Sequence, residues 1–192
     1  MMLNIFGPSG SGKTTLIRNL LEKRQIKFFF ESHTKQRQDI NLNSRISLSL
    51  IPVPIFRGTI KDFFDIFSIN LNLLLSLRNE YKLLSNTIFD EINTQEELDK
   101  IAIRKVESFS AGEIRRLFLL KSLLVESSIM IIDEPFSNSD EKLWETIYNA
   151  IKIKSRAIIL SHISLGKLFT LEDENISFHI NKIKKELLNL SH

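Results

Sequence analysis

"GPSGSGKTT", residues 7–15, decides the fold. The stretch satisfies G-x-x-x-x-G-K-S/T and stands between a short apolar run, residues 2–6, and a helical pattern over about 13–23. Strand, glycine loop and helix together make that spacing a phosphate site. Gly7, Gly10 and Gly12 let successive N–H groups turn inward as an anion-binding nest, and the helix N-terminus adds its dipole. Lys13 supplies a point charge for β- and γ-phosphates, and Thr14 offers a hydroxyl to Mg²⁺. Pro8, Ser9, Ser11 and Thr15 complete the loop expected to touch the nucleotide. A Gly/Ser linker would not sit between those two elements.

Outside this loop the chain avoids glycine: of its six, four fall at Gly7, Gly10, Gly12 and Gly112. Such clustering marks places where backbone approaches something closely. The remaining composition is that of a globular domain, with 43% hydrophobic and 26% charged residues in 192. The net charge of +3 is spread thinly, which argues against a nucleic-acid partner, since that footprint is a concentrated basic stripe. There is no cysteine, so disulfides and thiolate metal sites are excluded and a reducing cytoplasm fits. The start "MMLNIFG" lacks the basic and long apolar regions of a signal peptide, so none is expected. The most apolar stretch, "DFFDIFSINLNLLLSLRNEY", is interrupted by Asp65, Asn70, Asn72 and Arg78, so membrane contact is expected only through a partner chain.

Along the chain, "IKFFFES" and "RISLSLI" read as strands by apolar and β-branched content. Residues 56–105 turn helical, and Ser110 opens the strongest helix. "SIMIID" and "RAIILSH" read as strands buried on both faces, with the helix "SDEKLWETIYNAIKI" between them. "ENISFHINKIKKELLNL" reads as a strand followed by a short helix. The order predicts an α/β, mostly parallel sheet of P-loop NTPase type, with residues 1–54 and 108–192 as core and 55–107 as an inserted helical subdomain.

Two further segments carry chemistry. "IMIIDEP" puts Asp133 and Glu134 where a buried strand ends, and ligands gather at the carboxyl ends of parallel strands. Asp133 there can hold Mg²⁺, and a carboxylate beside it can polarise water. "SFSAGEIRRL", residues 108–117, carries Ser110 and Glu113 at capping-box spacing. Gly112 lies inside that first turn, where glycine costs about 1 kcal/mol relative to alanine, so it calls for another reason.

A phosphate loop, then S-x-G-E opening a helix, then apolar-D-E-P, in that order, resembles the nucleotide-binding subunit of ABC transporters and related ABC ATPases. The family signature, commonly L-S-G-G-Q, corresponds to residues 109–113. The resemblance implies Mg²⁺-dependent hydrolysis of ATP, with two sites sandwiched in a head-to-tail homodimer or heterodimer. It implies that Ser110, Gly112 and Glu113 meet the γ-phosphate held by a second subunit. It also implies a D-loop at "SNSD", where Asp140 would lie across the interface or cap a helix, and a switch histidine at His162 in "LSH". Glu134, His162 and Lys13 are then the catalytic set, with Thr14 and Asp133 as metal ligands. A separate transmembrane subunit would hold the chain peripherally at the inner face of a membrane.

Three departures accompany the resemblance. The family's Q-loop glutamine should fall near Ile51, and Gln36 and Gln38 lie too early to replace it. Only six residues precede Gly7, so the antiparallel region with an adenine-stacking aromatic is expected to be absent, with weaker ATP affinity and looser base choice. Ala111 and Glu113 stand for the commoner Gly and Gln. A regulatory nucleotide-binding module of the same ancestry with little turnover is the alternative reading. A P-loop kinase would have no use for "FSAGE" before a helix.

Overall fold

In the computed structural model of the chain, residues 1–34, 45–50, 53–77, 92–137, 141–153, 156–165 and 176–189 are described. The elements run β1 (Met2–Phe6), α1 (Lys13–Glu22), α2 (Ile26–Thr34), β2 (Ile46–Ser49), α3 (Ile60–Ile66), α4 (Leu73–Leu77) and α5 (Gln95–Ala102). They continue with α6 (Ala111–Leu124), β3 (Ile129–Asp133), α7 (Glu141–Ile153), β4 (Ala157–Ser161), β5 (Ile176–His179) and α8 (Ile180–Asn189). They fall into two compact units: residues 1–51, 127–137 and 154–192, and residues 52–126 and 138–153.

The first unit holds a five-stranded sheet in the order β2-β3-β4-β1-β5, every described pair parallel. β3 and β4 are buried at every position, as their unbroken apolar runs require of strands covered on both faces. β2 alternates buried and half-buried residues. The expected α/β sheet of P-loop type is therefore present. One expected strand is not. "IKFFFES" is helix α2, because its buried residues, Ile26, Phe29 and Phe30, follow i, i+3, i+4 while Phe28 is 68% exposed. A strand would have put Phe28 on the same face as Ile26 and Phe30.

The second unit is helical and is organised around Phe63. Its ring meets Phe56, Phe64, Phe67 and Phe118 edge-on at centroid distances of 5.0–5.4 Å. Each such contact adds about 0.5–1.5 kcal/mol to the burial itself. Leu117, Phe118 and Leu120 of α6 belong to this apolar cluster, so α6 packs with the helical segment that precedes it. α3, α5 and α6 each begin in a capping box, built by Thr59 and Asp62, Thr94 and Glu97, and Ser110 and Glu113. Reciprocal bonds of this kind satisfy N–H groups that a helix start otherwise leaves open.

Candidate active site

The strand order puts three strand ends side by side. β4 lies between β3 and β1, with Asp133 opposite Leu160 and Phe6 opposite Ser161. The segments that follow these ends carry the phosphate loop, Glu134 and His162. The chain leaves β1 for β2 on one side of the sheet and finishes at β5 on the other, which opens the crevice where parallel sheets bind ligands.

The loop reaches α1 through Gly12, whose φ of 86° is left-handed and open to glycine at little steric cost. No side chain caps α1, so its first N–H groups are left to face a ligand. Lys13 is 6% exposed, and its Nζ donates to the carbonyls of Gly7 (2.7 Å) and Pro8 (3.2 Å). The Ser11 N–H donates to Pro8 O (3.2 Å), while the Ser11 hydroxyl is buried with no partner among the described residues. A buried hydroxyl inside a cationic loop fits a phosphate oxygen. Ser9, Gly10 and Thr15 are exposed along the same loop.

Thr14 and Asp133, 119 positions apart, meet: the Thr14 hydroxyl donates to Asp133 Oδ2 at 2.6 Å. Asp133 is 7% exposed at the end of β3. Two hard oxygen donors on the rim of a phosphate loop suit Mg²⁺, which takes one or two protein oxygens and completes its shell with phosphate and water. Among the described residues no group of three or more His, Asp or Glu side chains offers an all-protein metal site.

Glu134 turns out of the sheet with φ 50°, a left-handed conformation that costs a non-glycine residue about 1–3 kcal/mol. Its N–H donates to Leu160 O (2.8 Å), and its carbonyl accepts from the Ser137 N–H (3.1 Å) and hydroxyl (2.9 Å). These bonds hold the turn that aims the carboxylate. Oε1 lies 3.6 Å from Lys13 Nζ, and Oε2 lies 2.9 Å from His162 Nδ1. With a carboxylate as acceptor, Nδ1 carries the proton. Glu134 thus bridges a lysine and an imidazole, the three side chains coming from the segments that follow three adjacent strand ends.

Sequence reasoning missed Asn4. It is 2% exposed in β1; its Nδ2 donates to Ile159 O (3.2 Å) and Ser161 Oγ (2.8 Å). Its Oδ1 accepts from the Leu165 N–H (3.0 Å) and the Ser177 hydroxyl (3.2 Å). A fully satisfied buried amide is rigid, and this one brackets the turn from Ser161 to Leu165 that carries His162. The available signal was an amide in the middle of the apolar strand "MLNIF".

The signature segment belongs to the second unit. Ser110 Oγ accepts from the Glu113 N–H (3.3 Å), and Glu113 Oε2 accepts from the Ser110 N–H (2.8 Å) and hydroxyl (2.7 Å). The hydroxyl bond from Ser110, then its backbone N–H, holds the Glu113 carboxyl below its ordinary 4.5. Among the described residues nothing calls for glycine at position 112, since a Cβ built there meets none of their atoms within 4 Å. Asp140, Ile51, Gln36 and Gln38 lie outside the described residues.

A parallel sheet of this order, with a phosphate loop after β1 and an acidic end to β3, defines a P-loop NTPase fold. Residues 1–137 match the ABC transporter family, and the chain belongs to that family. It is 26% identical over 157 residues to the zinc import ATP-binding protein ZnuC of Rickettsia bellii (strain RML369-C), covering 78% of this chain and 57% of that one. It is also 26% identical over 155 residues to the lipoprotein-releasing system ATP-binding protein LolD of Desulfotalea psychrophila (strain LSv54 / DSM 12343), covering 79% and 68%. The chain thus spans little more than half the length of the ZnuC relative. A solved RNase-L Inhibitor matches in fold with a TM-score of 0.55 at 18% identity, over 84% of this chain and 33% of that one. Among the described residues no helix is long and apolar enough to cross a membrane.

Proposed function

We propose that the chain binds and hydrolyses ATP as one subunit of a head-to-tail pair, and that it energises a separate transmembrane subunit. The observation that carries this reading is the bridging of Lys13 and His162 by Glu134 beside the Thr14–Asp133 pair. The loop N–H groups and Lys13 hold the triphosphate. Glu134 accepts the proton of the attacking water at its carboxylate, and His162 keeps that carboxylate oriented and faces the γ-phosphate. Thr14 and Asp133 would hold Mg²⁺, which when bound would supply charge neutralisation on the phosphate oxygens. Positioning and charge stabilisation account for most of such catalysis, so few side chains suffice.

Ser110 and Gly112 act on the nucleotide of the other subunit, with Asp140 across the same interface. The open space at Gly112 supports this, because an approach from outside the chain supplies a reason for glycine that the packing of the described residues does not. The relatives' names specify different systems, zinc import and lipoprotein release, so no cargo is assigned.

The test is the Glu134→Gln variant, followed by light scattering with and without Mg·ATP and by phosphate release. Turnover should fall by about a hundredfold or more, the scale of a lost general base. The mass should double from 22.3 kDa on adding Mg·ATP. A variant that hydrolyses ATP as fast as the unaltered chain would sink the role of Glu134. A bound monomer at every ATP concentration would sink the pairing of two identical copies, leaving either a different partner subunit or a chain without the split site.

A further inference from the structure

The phosphate loop is gripped from outside by α8. Lys184 Nζ donates to the carbonyl of Ser11 at 2.7 Å. A Cβ on Gly12 would lie 3.1 Å from the same Nζ, and a Cβ on Gly7 would lie 2.6 Å from Ile180 Cγ2. Ile180 and Lys184 are i and i+4 on one helix, so a single face of α8 covers both ends of the loop. Ile180 is fully buried, whereas Lys184 is exposed and brings its ammonium to the loop.

We propose that Lys184 is a positioning residue for nucleotide binding, which makes α8 part of the nucleotide site. The proposal rests on the ATP-binding reading above. In a nest the N–H groups point at the anion and the carbonyls point away, so the outer carbonyls carry the negative ends of the peptide dipoles. The Lys184 ammonium sits on one of them. It offsets that negative end, polarises the Ser11–Gly12 peptide and strengthens the Gly12 N–H as a donor to phosphate. It also holds the loop in its binding shape before the ligand arrives, so less ordering remains to be done on binding. Lys184 acts through the loop and need not touch the nucleotide. The residue lies 173 positions from Ser11 and has no place in the phosphate-loop motif.

The test compares the unaltered chain with Lys13→Met, Lys184→Met, Lys184→Gln and Lys184→Arg, by calorimetric titration with Mg·ATP and by thermal unfolding without nucleotide. Lys184→Met and Lys184→Gln should weaken the Kd by about five- to tenfold, the scale of one charged hydrogen bond partly screened by water. Lys184→Arg should restore it to within about twofold, since charge and donor are kept. The nucleotide-free Tm should stay the same in all three, because the contact is exposed and involves no core packing. Unaltered affinity in Lys184→Met beside a Lys13→Met variant that no longer binds overturns the role of Lys184 alone. An affinity loss that Lys184→Arg does not rescue, or that follows a fall in Tm, overturns it as well. Should Lys184→Met not fold, the comparison of Gln with Arg decides the matter. Failure of the unaltered chain to bind Mg·ATP overturns both this inference and the ATP-binding reading.

Discussion

Lys121 is a buried cation of the helical unit, and its replacement by methionine tests how the burial of its charge weighs against its packing. It sits on α6, 6% exposed, with Nζ 4.8 Å from the ring centre of Phe67 and 5.8 Å from that of Phe118. Burial pushes its pKa down from 10.5 to about 8. At about 1.36 kcal/mol per pH unit, the charged form costs roughly 3 kcal/mol in the folded state. The rings return about 1–2 kcal/mol to the ammonium. Lys121→Met keeps the approximate length of the side chain and removes the cost of burying the charge, so a net gain of about 1–2 kcal/mol is expected near pH 7. Between the folded value of about 8 and the unfolded 10.5, the unfolded chain binds more protons, so the native chain gains stability as pH rises. The advantage of methionine should shrink over that window. Urea midpoints of both proteins at about pH 7 and about pH 10 give the comparison directly. A variant less stable than the unaltered chain near pH 7, or one whose gain is the same at both pH values, would refute the reasoning.

Two more outcomes are expected. Thr14→Val removes the hydroxyl that Asp133 accepts at 2.6 Å, and it should abolish the Mg²⁺ enhancement of ATP binding at a stability cost of about 1–3 kcal/mol. Titrations with Mg²⁺ and with a chelator decide this, and full retention of the Mg²⁺ effect would remove Thr14 from the metal pair. The helical unit should also be acid-labile through its capping boxes. The Thr59 backbone N–H lowers the Asp62 carboxyl, the Asn93 N–H lowers Glu97, and the Ser110 hydroxyl lowers Glu113. A lowered folded pKa stabilises above the unfolded value and is lost as pH falls through the folded one, here below 3.8 for Asp62 and 4.5 for both glutamates. Hydrogen-exchange protection of α3, α5 and α6, taken relative to the intrinsic rate at each pH, should fall across that range, and unchanged protection would contradict it.

What could be read in advance was coded by local spacing. "GPSGSGKTT", "DEP" and "LSH" each place their chemistry within a few residues of a strand end, so backbone geometry alone brings the side chains to the rim of a parallel sheet. The capping box at Ser110 and Glu113 was legible for the same reason, since both partners lie within one turn. "IKFFFES" was misread because a short apolar run suits strand and helix alike, and only its packing, with Phe28 outward, separates the two.

Tertiary structure alone decided how those local pieces join. The Thr14–Asp133 bond spans 119 positions, the His162–Glu134 bond 28, and the Lys184–Ser11 bond 173. Each exists because strand order made β3, β4, β1 and β5 neighbours, and no local pattern carries that order. Asn4 and Lys184 looked like an ordinary strand polar residue and an ordinary helix cation. Their roles depend on what faces them, and for Asn4 that is the turn carrying His162, for Lys184 the outer carbonyl of the phosphate loop. The sequence by itself determined which chemistry the chain carries, because motif spacing is a property of neighbouring residues. The fold determined which distant groups hold that chemistry in place, because long-range contacts depend on how the strands pair.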